Sequence, residues 1–205
     1  MPDGMRDNTP TRAALLELKE ERHVVHEGYD FLDEKRLLLA AEILRQLRRY
    51  QDLMGEFESA HRQAATALTQ AAARHGLQGL EVYPAVKLEA ARITTVRRSF
   101  LGVTLVESTL AHELPEVEVR AMNPSAEARH CCRLFGDVLE HVAVMAGVSS
   151  NLFRLMAEYR RTERRARALE DVILPEIEET LHDMEMHLEE TDQEEAVRSR
   201  LHYNR

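Results

Sequence analysis

The sequence predicts a mainly all-α fold: a long antiparallel two-helix coiled coil whose helices flank a short middle segment with a candidate β-hairpin. Three observations lead there. The 205 residues include only 8 glycines and 6 prolines, and 31% of them are charged, against about 25% in an average soluble protein. A chain so short of turn formers and so rich in Ala, Leu, Glu and Arg favours long helices. A heptad pattern runs through its first third, and proline-led caps at Thr9-Pro10 and Asn123-Pro124-Ser125 mark two widely separated helix starts.

The elements follow in order. Residues 1–9 read as a flexible N-terminus, and residues 10–75 as the first coiled-coil helix, ending at His75-Gly76. Positions a at 15, 22, 29, 36, 43, 50, 57, 64 and 71 hold Leu, Arg, Tyr, Arg, Ile, Tyr, Phe, Ala and Ala. Positions d at 18, 25, 32, 39, 46, 53, 60 and 67 hold Leu, Val, Leu, Leu, Gln, Leu, Ala and Ala. Fourteen of these seventeen are apolar or aromatic, far longer than the stripe of an ordinary globular helix. At 1.5 Å per residue the helix would be on the order of 100 Å long. Arg22, Arg36 and Gln46 stand in the seam as candidate register-setting residues. Gly28 and Gly55 each cost about 1 kcal/mol in a helix interior, which close approach of a neighbour would explain.

Residues 76–122 form the middle segment. The run from Arg92 to Glu107 is rich in β-branched residues and predicts a hairpin turning near Leu101-Gly102; Glu116 to Arg120 alternates like a further short strand. Residues 123–200 read as the second helix, with a seam at Cys131, Phe135, Val138, Val142, Met145, Ser149, Leu152, Met156 and Tyr159. Beyond it, Ala166, Leu169, Ile173, Ile177, Leu181, Met184 and Leu188 are spaced so as to unwind a left-handed supercoil locally. Pro175 lies within this stretch and should kink the helix or cost it a hydrogen bond. Residues 201–205 are a tail.

Composition excludes several classes. No uncharged apolar run approaches the roughly 20 residues of a membrane span. Met1 to Arg12 lacks a secretory pattern, which predicts a cytoplasmic protein. Cys131 and Cys132 are adjacent on a helix, cannot form an unstrained disulfide, and read as small packing residues. A net charge of −9 argues against nucleic acid as partner. The basic residues are 24 Arg and only 3 Lys, Lys19, Lys35 and Lys87, and Arg is the better residue for interface ion pairs.

Glu-x-x-His occurs at Glu20/His23, Glu58/His61, Glu127/His130 and Glu179/His182, a spacing that binds di-iron in ferritin-like bundles. The heptad frame puts the first three pairs on flanks or outer positions, so solvated helix faces are the better reading. His130-Cys131-Cys132 has no second ligand pair at zinc spacing, and neither a P-loop nor a nucleophile elbow is present. No catalytic, cofactor or metal residue is therefore assigned. The more telling pattern is charge. Arg160, Arg161, Arg164, Arg165 and Arg167 crowd one stretch, and Glu176 to Glu195 then carries ten acids with no Lys or Arg. Bands of this kind are either solvated faces or surfaces for different partners at different heights.

Three blocks carry a family resemblance. The first is Pro10-Thr11-Arg12 with Ala14-Leu15-Leu16-Glu17-Leu18-Lys19-Glu20-Glu21-Arg22 and Glu27-Gly28-Tyr29-Asp30-Phe31-Leu32-Asp33-Glu34-Lys35-Arg36. The second is Val96-Arg97-Arg98-Ser99-Phe100-Leu101-Gly102-Val103. The third is Thr162, Arg164-Arg165 and Ala168-Leu169-Glu170-Asp171-Val172-Ile173-Leu174-Pro175-Glu176-Ile177-Glu178-Glu179-Thr180. Together they resemble the D subunit of the V/A-type rotary ATPases, with Arg167 where that family usually has asparagine. The resemblance implies a central-stalk rotor protein, itself non-catalytic and without cofactor, peripheral to the membrane. It would transmit torque between a hexamer of catalytic and regulatory nucleotide-binding subunits and the ion-translocating membrane ring. The implied partners are that head, the small F subunit of the central stalk and the funnel-shaped subunit above the ring. Thr11, Arg12, Arg97, Arg98, Gly102, Arg160, Arg161, Arg164, Arg165, Arg167 and Glu170 are the implied partner interface. The rival readings are a self-associating coiled-coil adaptor and a ferritin-like di-metal bundle.

Overall fold

The computed structural model describes residues 11–81, 91–111 and 124–203. Helix α1 spans Arg12–Glu81, strands β1 and β2 span Arg92–Phe100 and Val103–Ala111, and helix α2 spans Ala126–Ala168. A π-helical turn at Leu169–Ile173 leads into α3, Leu174–Tyr203. Helix occupies 86% of the described residues and the sheet is one antiparallel hairpin, so the fold is mainly α with a hairpin in its middle. The further strand expected at Glu116 to Arg120 lies outside the described residues, as do Thr9, Pro10 and Asn123.

The seam of α1 follows the heptad frame closely. Sixteen of the seventeen a and d positions are buried or half-buried, Arg22 alone being exposed. Helix starts are capped by hydroxyls two residues past the expected Thr9 and Asn123: Thr11 Oγ1 accepts the Ala14 N–H at 3.1 Å, and Ser125 Oγ accepts the Ala128 N–H at 3.0 Å. Each satisfies a donor that the first helical turn leaves open. Within α1, Gly76 has φ 71° and ψ 163°, a non-helical break that only glycine adopts without strain.

The chain divides into two units. One comprises the residues up to Leu38 together with those from Tyr159 onward. Its core is Leu18 packed with Ile177, Leu181 and Met184, flanked by Ala14, Leu15 and Val25. Lys19 pairs with Glu185 at 2.7 Å and Arg12 with Asp192 at 3.0 Å, so the start of α1 and α3 run side by side and antiparallel. Pro175 has no N–H for the Asp171 carbonyl, and its ring crowds that group. The π turn immediately before α3 absorbs the mismatch, with the Leu174 N–H reaching the Leu169 carbonyl five residues back.

The other unit comprises Leu39–Glu158. Ala67 and Ala71 of α1 meet Cys131 of α2, small side chains that let the two helices approach, with Leu80, Leu134 and Phe135 around them. His75 Nε2 lies 2.6 Å from the capping Ser125 hydroxyl. Cys131 is buried and Cys132 exposed, so only the former packs; burial first, and then neighbouring Cys132, push the Cys131 thiol up.

The expected seam of the second helix is buried or half-buried at eight of its nine positions, Val142 alone being exposed, but a second face at Ala143, Gly147, Val148, Asn151 and Leu155 is buried as well. The hairpin is the cause. Strand β2 covers a second face of α2, at Ala143, Gly147 and Asn151, four residues apart. At Gly147 a Cβ would run into Ser108, whose backbone N and Cβ stand 3.2 and 3.3 Å from that position. Neither of the two glycines suspected of close packing needs to be glycine: at Gly28 a Cβ would touch Leu169 at an ordinary 3.8 Å, and at Gly55 it would meet nothing.

Candidate functional site

The hairpin turns where expected. Phe100 pairs with Val103 across Leu101 and Gly102, whose φ values of 48° and 87° make a turn with both central residues left-handed. Gly102 takes that conformation freely. Leu101 is the one non-glycine residue with positive φ among the described residues.

Three side-chain contacts between α2 and β2 brace the hairpin. Asn151 accepts the Val106 N–H at 2.7 Å and donates to the Val106 carbonyl at 2.8 Å, completing the strand as a neighbouring strand would. Arg154 donates to the Thr104 carbonyl at 3.0 Å. Ser108 donates to the Ala143 carbonyl at 2.5 Å. Across the hairpin, Arg98 reaches from β1 to Glu42 of α1 at 3.0 Å, and Arg49 pairs with Glu107 at 3.4 Å.

Glu42 is the centre of this bracing. It is 6% exposed and takes two 2.7 Å bonds from Arg45 and one of 2.9 Å from Gln46, besides that from Arg98. Burial pushes its carboxyl up, but the bonds from Arg45 and Gln46 and the charges of Arg45 and Arg98 outweigh burial, and the net shift is downward. Sequence reading missed Glu42, Asn151, Ser108 and Gly147. The available signal was a polar residue, Asn151, inside an apolar stretch of helix.

The expected interface residues fall into separate groups. Thr11 caps α1, and Arg12 is tied to Asp192. Arg97 is exposed on β1, beside Arg98 and the Gly102 turn. Arg160, Arg161, Arg164 and Arg165 are exposed on α2, while Thr162 and Ala166 between them are buried, so the helix turns its arginines outward. Arg167 pairs with Glu163 at 2.8 Å. Glu170 lies on the π turn beside Tyr29, whose phenol is pushed up first by burial and then by the Glu170 and Asp33 charges. Half-exposed Glu185 is held down by the hydrogen bond and charge of Lys19. Among the described residues, no three His, Cys, Asp or Glu side chains converge as metal ligands, and no helix is long and apolar enough to cross a membrane.

Paired helices with a buried heptad seam, a braced hairpin and an outward arginine band define a class: long-helix proteins with a small hairpin in the middle of the chain. The chain belongs to the family of ATP synthase D subunits, whose model matches residues 14–202. It is similar to the V-type ATP synthase D subunit of Thermotoga neapolitana, 28% identical over 189 residues that cover 92% of this chain and 93% of the relative. It is likewise similar to the A-type ATP synthase D subunit of Haloarcula marismortui, 26% identical with 94% and 85% covered. The second V-type ATP synthase D subunit of Treponema pallidum is 27% identical, with 90% and 88% covered. Membership makes the chain a component of an ATP synthase assembly.

Proposed function

We propose that this chain is the central-stalk rotor of a V/A-type ATPase or ATP synthase. It transmits torque between the nucleotide-binding hexamer and the ion-translocating membrane ring, and carries out no bond chemistry itself. The observation that carries this reading is the family match over residues 14–202 on a chain whose α1 keeps its seam covered at sixteen of seventeen positions. A helix buried along one stripe against a partner resists bending and twisting, because either motion unpacks the seam.

The partners of this reading are the catalytic and regulatory subunits of the head, the F subunit of the central stalk and the funnel-shaped subunit. The protein would sit on the cytoplasmic side, peripheral to the membrane. Arg160, Arg161, Arg164 and Arg165 are offered to the head, and Arg97, Arg98 and Gly102 to partners of the middle region. Thr11 and Arg12 at the start of α1, with Arg167 and Glu170 where α2 passes into the π turn, complete the interface. Co-expression with the soluble subunits of the complex, followed by gel filtration, tests it: the chain should elute with a nucleotide-binding hexamer. Elution as a stable homodimer without that hexamer would favour an adaptor and overturn the rotor.

A further inference from the structure

The two edges of the hairpin are unequal. Phe100 and Val103 face each other across a two-residue turn, so that pair exchanges both ladder bonds. The alternation then turns the N–H and C=O groups of Ile93, Thr95, Arg97 and Ser99 away from β2, and those of Thr104, Val106 and Ser108 away from β1. The β2 edge is covered by α2: Asn151 takes both main-chain groups of Val106, Arg154 takes the Thr104 carbonyl, and Gly147 stands against Ser108. Among the described residues, nothing bonds the outward main chain of Ile93, Thr95, Arg97 or Ser99.

Strand β1 is exposed from Arg92 to Ser99, contains no proline, and pairs with β2 through nine residues without a bulge. Shortness, proline and bulges are the usual backbone devices that blunt an edge, and charge is the other. Here only charge is present, and it has one sign: β1 carries Arg92, Arg97 and Arg98 and no acid. A second copy of β1 on this edge would add three more guanidiniums beside these, and like charges on neighbouring strands are destabilising. Glu42 already holds Arg98, leaving Arg92 and Arg97 to select the occupant.

We propose that the free edge of β1 receives an extended acidic segment of another protein chain, which adds as a third strand of the sheet. Main-chain bonds to the four outward residues give the affinity, and carboxylates opposite Arg92 and Arg97 give the selectivity. The inference goes beyond the rotor reading and does not depend on it.

The test uses the full-length chain and a synthetic peptide of alternating Glu and Val, as long as β1, with a Lys and Val peptide as control. Amide hydrogen exchange at Ile93, Thr95, Arg97 and Ser99 should slow about tenfold or more with the Glu peptide, and the Lys peptide should bind at least about tenfold more weakly. Thr95→Pro removes one outward N–H and no bond between β1 and β2. It should weaken Glu-peptide binding about tenfold while the Val106 amide stays protected. Arg97→Glu should shift the preference towards the Lys peptide even if the proline variant disturbs the hairpin. Unchanged exchange at millimolar Glu peptide, or equal binding of both peptides, overturns the proposal. Outward amides already protected in the free chain also overturn it, because the edge is then occupied in cis or by a second copy.

Discussion

Glu42 shows how much one side chain can hold. Its carboxylate joins Arg45 and Gln46 of its own helix to Arg98 of the hairpin, and it is nearly out of contact with solvent. Removing it leaves Gln46 and Arg98 without this acceptor. Glu42→Ala should therefore destabilise the fold by about 2 kcal/mol in urea denaturation. The pH dependence follows from the depressed carboxyl. A group held below its unfolded value contributes stability that is full above that unfolded value and is lost as pH falls through the folded one. Wild-type stability should thus fall in acid, and Glu42→Ala should lose less over the same window. Leu101 is the second informative residue. At φ 48° it carries a Cβ in a conformation that glycine and asparagine occupy more easily. Leu101→Asn should raise stability by about 1 kcal/mol, read as an upward shift in thermal midpoint.

At the scale of elements, two glycines separate what a helix needs from what a neighbour demands. Gly55 sits in α1 with open space where a Cβ would go, so Gly55→Ala should stabilise by about 1 kcal/mol through helix propensity alone. Gly147 sits in α2 against Ser108, and the added methyl must push the strand away. Gly147→Ala should cost about 1–3 kcal/mol and speed hydrogen exchange at Val106, because Asn151 can no longer reach it. Helix propensity by itself would treat both sites alike. The hairpin turn was legible because Leu101-Gly102 lies between β-branched runs, a local signal. The bracing of β2 was not, because Asn151 and Val106 are 45 residues apart. The seam of α1 was legible throughout, since one helix covers one face with a regular repeat. That of α2 was legible as well, Val142 apart, but the second face that β2 covers was not.

For the whole molecule, membership in the D-subunit family sets the working context, and the arginine band is where the rotor reading can be tested by function. Arg160, Arg161, Arg164 and Arg165 stay exposed on a helix whose Thr162 and Ala166 face inward. Replacing Arg164 and Arg165 by Ala should leave helical content and complex assembly unchanged. Ion pumping per ATP hydrolysed should fall severalfold if the band couples shaft to head. Intact coupling in the assembled double variant would remove these residues from the interface. Arg12 and Arg167 are poorer choices for such a test, because each is already engaged with an acid of its own chain.

By itself the sequence determined the helical class, the stripe that α1 buries, the place of the hairpin turn and the family. Each is written in nearby residues: a period of seven, a β-branched run, a cap before a helix, a signature block. Only the tertiary structure decided which polar groups are buried and which strand edge is free. It also decided how the chain passes Pro175, through a π turn that ends just before it. Those outcomes depend on which distant segment arrives at a surface. Glu42 could be buried because Arg98 came to meet it, and among the described residues α2 takes the β2 edge and nothing takes that of β1.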